Sequence, residues 1–329
     1  LASTWFRATR ESDLAEPVTI VAGQQLENID IQFAREPILK LQGTVFGADG
    51  RPAAGGRVRI AWRVLTAIRF NNFPIGADGS FTIPNLFAGK YEIVAGAGEP
   101  ISQIATRTVE LPNDDGPIEL HLRRGGVIHG RLVVPDAGQL ASFTVESIAP
   151  DRMGTVLTPA RHARVKADGT FLLDAQFGPR LLRVRDLPPT WCLEAVTLGT
   201  RDITNVPTTF LADARNDVEI VVGHRRPVIT GRVQLDDGQD AVVVVLPDDP
   251  AQWVRDSTAL ASAWPDSEGH FEIAGLPAGD YRAIATDKPP RGFAERQRDA
   301  LEWLWRNGSP VTVHAGQVAT LTLHITRLP

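Results

Sequence analysis

The 329-residue chain has one cysteine, one methionine and two tyrosines, and only four of its 34 basic residues are lysines: Lys40, Lys90, Lys166 and Lys288. A single thiol, Cys192, excludes an internal disulfide framework and any multi-thiolate metal site. No apolar run approaches the roughly 18 residues of a spanning helix, so no membrane span is expected. Basic residues are outnumbered too, 34 against 39 acids for a formal charge of −5, so a nucleic-acid partner is not expected. The motifs His-Glu-x-x-His, Cys-x-x-Cys and Gly-x-Ser-x-Gly are missing, and with them the signatures of zinc hydrolases and nucleophile-elbow hydrolases. The first residue is Leu1, followed by no charged-then-apolar leader. The chain therefore reads as a processed product or a piece of something longer.

Turn formers are plentiful: 29 Gly and 24 Pro stand beside a hydrophobic fraction of 43%, which is too apolar for disorder. The length exceeds the roughly 250 residues that one core serves, so several domains are expected. Period-two alternation dominates, as in Val58-Arg-Ile-Ala-Trp62 and Ile118-Glu-Leu-His-Leu122. Short alternating runs between Asp-Gly and Pro/Gly turns are the pattern of half-buried antiparallel strands, and many of them point to β-sandwiches.

Three segments align without gaps, beginning at Phe81, Phe171 and Phe271 and ending at Tyr91, Leu181 and Tyr281. Each follows an acidic turn, at Asp78-Gly79, Asp168-Gly169 and Ser267-Glu268-Gly269. Upstream of each, a strand pattern opens at a glycine: Gly43, Gly130 and Gly231. A second repeat pairs Pro17-Val-Thr-Ile-Val-Ala-Gly-Gln24 with Pro310-Val-Thr-Val-His-Ala-Gly-Gln317, each running into an alternating strand, Ile29–Phe33 and Leu321–Ile325. Residues 1–36 thus read as the closing hairpin of a unit whose front half is absent. Residues 37–124, 125–224 and 225–329 read as three complete β-sandwiches, the second degenerate at Leu181 and Gly178-Pro179. The joints at Arg123–Gly126 and His224–Pro227 are short, which predicts tight coupling into a semi-rigid rod. One helix is expected near 293–306, with Phe293, Ala300, Leu301 and Leu304 on one face and Asn307-Gly308 as its stop.

The repeated pattern resembles the carboxypeptidase regulatory-like domain. It is carried by Gly43, Asp49-Gly50, Pro52, Val58, Gly79, Phe81, Leu86, Gly89 and Tyr91 in the first unit, and by Gly231, Asp237-Gly238, Gly269, Phe271, Leu276, Gly279 and Tyr281 in the third. That resemblance implies a transthyretin-like, Ig-like antiparallel sandwich related to the B-type repeats of bacterial collagen adhesins, in tandem within a secreted or surface protein. It is informative about fold and much less so about function.

No catalytic residue, cofactor or metal is assigned. His121 and His129 read as surface strand residues, Cys192 beside Trp191 as a small packed residue, and the acidic clusters at 113–116, 236–240 and 248–249 as solvated turns without the spaced ligands of a calcium loop. The orphan N-terminal tail offers an interface through Val18, Ile20, Leu26, Ile29, Ile31 and Phe33, because an uncovered apolar hairpin invites pairing. Among seven tryptophans, Trp253, Trp264 and Trp303 are candidate platforms for a ligand or partner. The expected protein is not an enzyme. It is an extracellular or cell-surface structural and adhesive protein, a stalk or filament subunit whose partner is another copy, head to tail, or a cell-surface or polysaccharide partner. The alternative is a carbohydrate- or peptide-binding accessory module of a larger secreted enzyme or outer-membrane receptor.

Overall fold

The computed structural model describes residues 15–31, 35–64, 67–98, 101–114, 116–224, 227–234, 240–287 and 295–327. The chain is a tandem of β-sandwiches. Residues through Arg124 form one compact unit, and those from Gly125 onward form a second that holds two sandwiches.

The first sandwich contains β1 (Leu39–Phe46), β2 (Arg57–Val64), β3 (Ala67–Pro74), β4 (Ser80–Leu86), β5 (Gly89–Ala97), β6 (Gln103–Leu111), β7 (Ile118–His121) and the two-residue β8 (Arg123–Arg124). One sheet runs β3-β2-β5-β6-β8 and the other β4-β1-β7. Between them lie Leu41, Val45, Ile60, Ile83, Ile93, Val109 and Leu120, all essentially inaccessible, which is the inward half of each alternating strand.

The second sandwich contains β9 (Gly126–Val133), β10 (Thr144–Ile148), a short helix α1 (Arg152–Leu157), β11 (Arg161–Arg164), β12 (Thr170–Gln176), β13 (Pro179–Arg185), β14 (Cys192–Leu198), β15 (Arg201–Asp202), β16 (Thr208–Thr209) and β17 (Asn216–Gly223). Its sheets run β11-β10-β13-β16 and β12-β9-β17-β14-β15. The degeneracy read at Leu181 extends to the strand order. In the first sandwich the strand after β5 pairs back onto β5, whereas β14 crosses to the opposite sheet and pairs with β17. Pro188-Pro189 follows β13 after two residues, Asp186 and Leu187, and proline cannot donate to a ladder, so the chain leaves the sheet there. The two residues of β16 take the position beside β13.

The third sandwich contains β18 (Val228–Gln234), β19 (Val242–Pro247), β20 (Ala261–Ala263), β21 (His270–Ala274), β22 (Gly279–Thr286), the helix α2 (Glu295–Asn307), β23 (Ser309–Val313) and β24 (Val318–Thr326). Its layers, β20-β19-β22-β23 and β21-β18-β24, join at one corner where Ala285 and Thr286 pair with Ile325 and Thr326. The helix expected near 293–306 is present as α2; Phe293 lies outside the described residues. Helix α1, for which the sequence raises no expectation, is capped by Asp151, whose carboxylate accepts from Gly154 N at 2.6 Å, the N-cap role that aspartate commonly fills.

The three-fold repeat has a physical basis. The glycines expected to open these strands lie in mid-strand, because pairing extends upstream of them, and each stands directly opposite the phenylalanine of its neighbouring strand: Gly43 opposite Phe81, Gly130 opposite Phe171, Gly231 opposite Phe271. A Cβ at Gly43 or Gly231 would stand 2.8 Å from the ring, and one at Gly130 would collide with it. The ring takes the space that a side chain would occupy. The turn before each phenylalanine is also the same object three times. Gly79, Gly169 and Gly269 hold φ of 79°, 83° and 84°, the left-handed region that glycine enters without strain. Their N–H groups donate to the carbonyls of Gly76, Lys166 and Asp266 at 3.0, 2.9 and 2.9 Å.

The tyrosines close a further loop. Tyr91 Oη donates to Phe87 O at 2.9 Å and Tyr281 Oη to Pro277 O at 2.7 Å. In the second sandwich leucine stands at that position, and Arg180 Nε donates to the corresponding carbonyl, Phe177 O, at 2.9 Å. Arg180 is 2% exposed, and burial, then the nearby Arg161 charge, lowers its pKa to about 10. A guanidinium thus replaces the missing phenol, since the buried carbonyl requires some donor.

The second and third sandwiches are joined through Arg183. Its guanidinium donates to Leu182 O and Thr204 O at 2.8 Å each and to Asn205 Oδ1 at 2.9 Å, and crosses to Asp256 O with bonds of 3.1 and 2.7 Å. Asn205 Oδ1 accepts in return from Thr258 N and Oγ1. Burial lowers the Arg183 pKa to about 10 although Asp256 opposes the shift.

Phe271→Ala should destabilise the third sandwich by about 3–5 kcal/mol, because it empties a buried site and uncovers Gly231; urea unfolding followed through the local tryptophans measures it. Gly130→Ala should cost the second sandwich about 1–3 kcal/mol by overpacking against Phe171. The turn aspartates give a pH signature. Asp78 and Asp168 are held below their ordinary value of 3.8 by side-chain and backbone hydrogen bonds from Ser80 and Thr170, and Asp266 by backbone hydrogen bonds, chiefly from His270. A depressed folded pKa contributes stability above the unfolded value and loses it as pH falls through the folded one. Melting temperatures should therefore fall as acid is added below about pH 4, and Asp168→Asn should flatten that limb for the second sandwich.

Candidate assembly surface

The N-terminal segment carries the first set of candidate residues. The alternation at Ile29–Phe33 predicts a strand, yet residues 15–31 contain none, and residues 32–34, with Phe33, lie outside the described residues. What forms is the turn: Gln24 N donates to Val21 O at 3.1 Å, with Gly23 at φ 82°. The C-terminal copy folds identically, Gln317 N donating to His314 O at 3.1 Å with Gly316 at φ 72°. There the flanking strands β23 and β24 are paired with β22 and β18.

The difference is in cover. Val311, Val313 and Leu323 are 9%, 1% and 4% exposed, while Val18, Ile20, Ile29 and Ile31 are 38%, 63%, 42% and 47% exposed. Leu26 is half-buried. A hairpin without a third strand or a second layer has nowhere to bury its apolar face, which is why the same residues make strands at one end of the chain and only a turn at the other. Four alternating apolar side chains thus stand in water, and exposed apolar surface is what an interaction site presents.

The aromatic candidates separate. Trp253 and Trp303 are half-buried on the outer face of the β19–β22 pair, together with Trp305, around Val242, Val244, Leu246, Ile284, Leu301 and Leu304. Trp253 Nε1 donates to Pro247 O at 2.8 Å, and Trp305 Nε1 to Asp248 Oδ1 at 2.8 Å. Arg282 lies over the Trp305 ring at 5.1 Å and donates through Nε to the same carboxylate at 3.0 Å. The hydrogen bonds from Arg282 and Trp305 hold the Asp248 carboxyl below its ordinary range. This cluster is a second small core under α2. Its signal in the sequence is the unbroken run Ala241–Leu246, since a strand apolar on both faces is covered on both. Trp264 alone of the three is an open platform, 65% exposed.

The remaining residues hold structural positions. His121 stacks on Phe46 with ring centroids 5.0 Å apart, Trp191 is buried against Phe143, and Asp249 caps the turn at Pro250–Gln252. Among the described residues no group of three or more His, Cys, Asp or Glu side chains is arranged to hold a metal ion, and no helix is long and apolar enough to cross a membrane.

No family model matches the chain, and no curated protein matches it. Among solved structures, the Bacillus anthracis TIE protein is 12% identical over 88% of this chain with a TM-score of 0.21, and the chain spans 50% of that protein's length. A streptococcal ancillary pilin is 10% identical over 87% of this chain and 98% of its own, with a TM-score of 0.25. Two B-repeat units of the Staphylococcus aureus collagen-binding protein are 9% identical over 76% of this chain and 69% of their own, with a TM-score of 0.19.

Trp253→Ala should lower the stability of the third sandwich by about 3 kcal/mol, whereas Trp264→Ala should change it by no more than about 0.5 kcal/mol; parallel thermal melts compare the two.

Proposed function

We propose that this chain is a non-enzymatic structural and adhesive protein of the extracellular space or cell surface, a stalk or filament subunit. It joins its neighbours through strand edges and the N-terminal tail, and its units are of the carboxypeptidase regulatory-like type. The observation that carries this reading is the pairing of the first strand of each sandwich with its long closing strand. They are parallel neighbours every time: β1 with β7, β9 with β17, and β18 with β24. Tension along the chain draws the first strand of a unit toward the N-terminus and the last toward the C-terminus. Parallel neighbours then slide past each other lengthwise, and all the hydrogen bonds between them bear load together instead of opening one at a time. A tandem of such units resists being drawn out, which is what a stalk must do. The exposed Trp264 favours the second reading, an accessory module that binds polysaccharide or peptide, but Trp253 and Trp303 are engaged in packing and add nothing to it.

Single-molecule pulling on the two ends of the chain tests the proposal, since forced unfolding is governed by the barrier to unfolding. Three separate events are expected. The first sandwich should yield earliest, because β1 and β7 share four register positions against seven for β18 and β24. Pulling instead through positions 228 and 318, which lie at one end of the β18–β24 pair, peels that pair and should need markedly less force. Equal forces in the two geometries would remove the basis for a load-bearing role. Tryptophan quenching by added glycans, lost in Trp264→Ala, would replace this reading with the accessory one.

A further inference from the structure

We infer that residues 17–31 are the closing hairpin of a fourth sandwich, and that their occupant is a five-stranded front half of this same repeat type, carried N-terminal to them in the same polypeptide. The inference rests on the reading of the tail as a joining element and specifies what it joins: a preceding unit of the same polypeptide and not a second copy. Four observations support it. The tail shares the turn of the β23–β24 connection at three of its four residues, with Val21 in place of His314, and repeats its backbone bond and its left-handed glycine. Its apolar residues correspond to ones that β23 and β24 turn inward: Val18 to Val311 and Ile20 to Val313, both buried, and, after one extra residue in the tail, Ile29 to the half-buried Leu321 and Ile31 to the buried Leu323.

The tail also stands in the same place along the chain as the other closing strands. β7 and β17 are each followed within a few residues by the first strand of the next sandwich, and the tail leads into β1 at Leu39 in the same way. Finally, the three sandwiches already hold their own last strands, β7, β17 and β24, each beside its first strand. A second copy of this chain therefore offers no vacant front half, and could accept the tail only by releasing a strand of its own.

Register gives the partner its chemistry. Tyr91 lies opposite Val109 and Tyr281 opposite Val311, so Val18 should face a tyrosine on an antiparallel strand. Gly43, Gly130 and Gly231 lie beside Ile118, Val218 and Leu321 on parallel strands. Ile29 should accordingly face a glycine, covered from its other side by a phenylalanine as in the three complete units.

Hydrogen exchange on two proteins tests this: residues 1–329 as they stand, and the same chain extended at Leu1 by a copy of residues 227–287, which supplies β18 to β22. In the unextended chain the amides of Val18–Val21 and Ile29–Ile31 should exchange freely at every concentration. In the extended chain they should slow by about a hundredfold or more, as amides in a cooperative sheet do. Ile20→Asp should abolish that protection, while Val21→Asp, in the turn, should leave it. A second extension, by a copy of residues 37–98, guards against a graft that fails on its own account. Freely exchanging amides in both extended chains would overturn the inference. So would protection in the unextended chain that rises with concentration, which would assign the tail to a second copy. Neither result bears on the force resistance of the three complete sandwiches, so this inference and the load-bearing reading can fail separately.

Discussion

A phenylalanine ring laid over a backbone glycine is the contact on which each unit depends. The glycine lets the first strand approach both neighbours at once, the phenylalanine strand on one side and the closing strand on the other. At Gly43 and Gly231 an added methyl group would strike not only the ring but also the carbonyl oxygen of Ile118 or Leu321. Everything else in the sandwich is arranged around that proximity. The left-handed turn delivers the phenylalanine to its place, and the tyrosine or arginine donor fixes the loop that follows.

How much of this was legible follows from where the information resides. Glycine, phenylalanine, the turn and tyrosine act through local geometry that only those residues provide, so they recur in register and expose the repeat. Alternation gave the strands for the same reason. The exchange of β14 between sheets was not legible, because a strand's inward alternation is the same whichever neighbour it pairs with. Nor was Arg180 as a substitute for tyrosine: it supplies the donor from one position earlier with different chemistry, and only the shared acceptor at Phe177 connects them.

The candidate residues of the surface fall in different environments, for different reasons. Trp303 falls off the simple helical stripe, yet α2 lies on a sheet face wide enough to engage Leu301, Trp303, Leu304 and Trp305 together. The run Ala241–Leu246 carried that message, since nothing in it faces water. In the tail, period-two alternation marks the residues that a sheet would bury if one formed. Whether the strand forms is decided by partners that alternation does not encode.

The joint at Arg183 sets where the tandem can be divided. Every acceptor of its hydrogen bonds is a carbonyl or a side-chain amide, and two of those bonds reach Asp256 across the boundary between the second and third sandwiches. Separating the chain near residue 225 would leave a half-desolvated cation without part of its shell, and Asn205 without Thr258. Acid does not discharge a carbonyl, so the conditions that weaken the turn aspartates leave this joint's acceptors as they were. The residues from Gly125 onward accordingly form a two-sandwich piece that should be inherited and expressed as a whole, a coarser unit of modularity than the repeat written in the sequence.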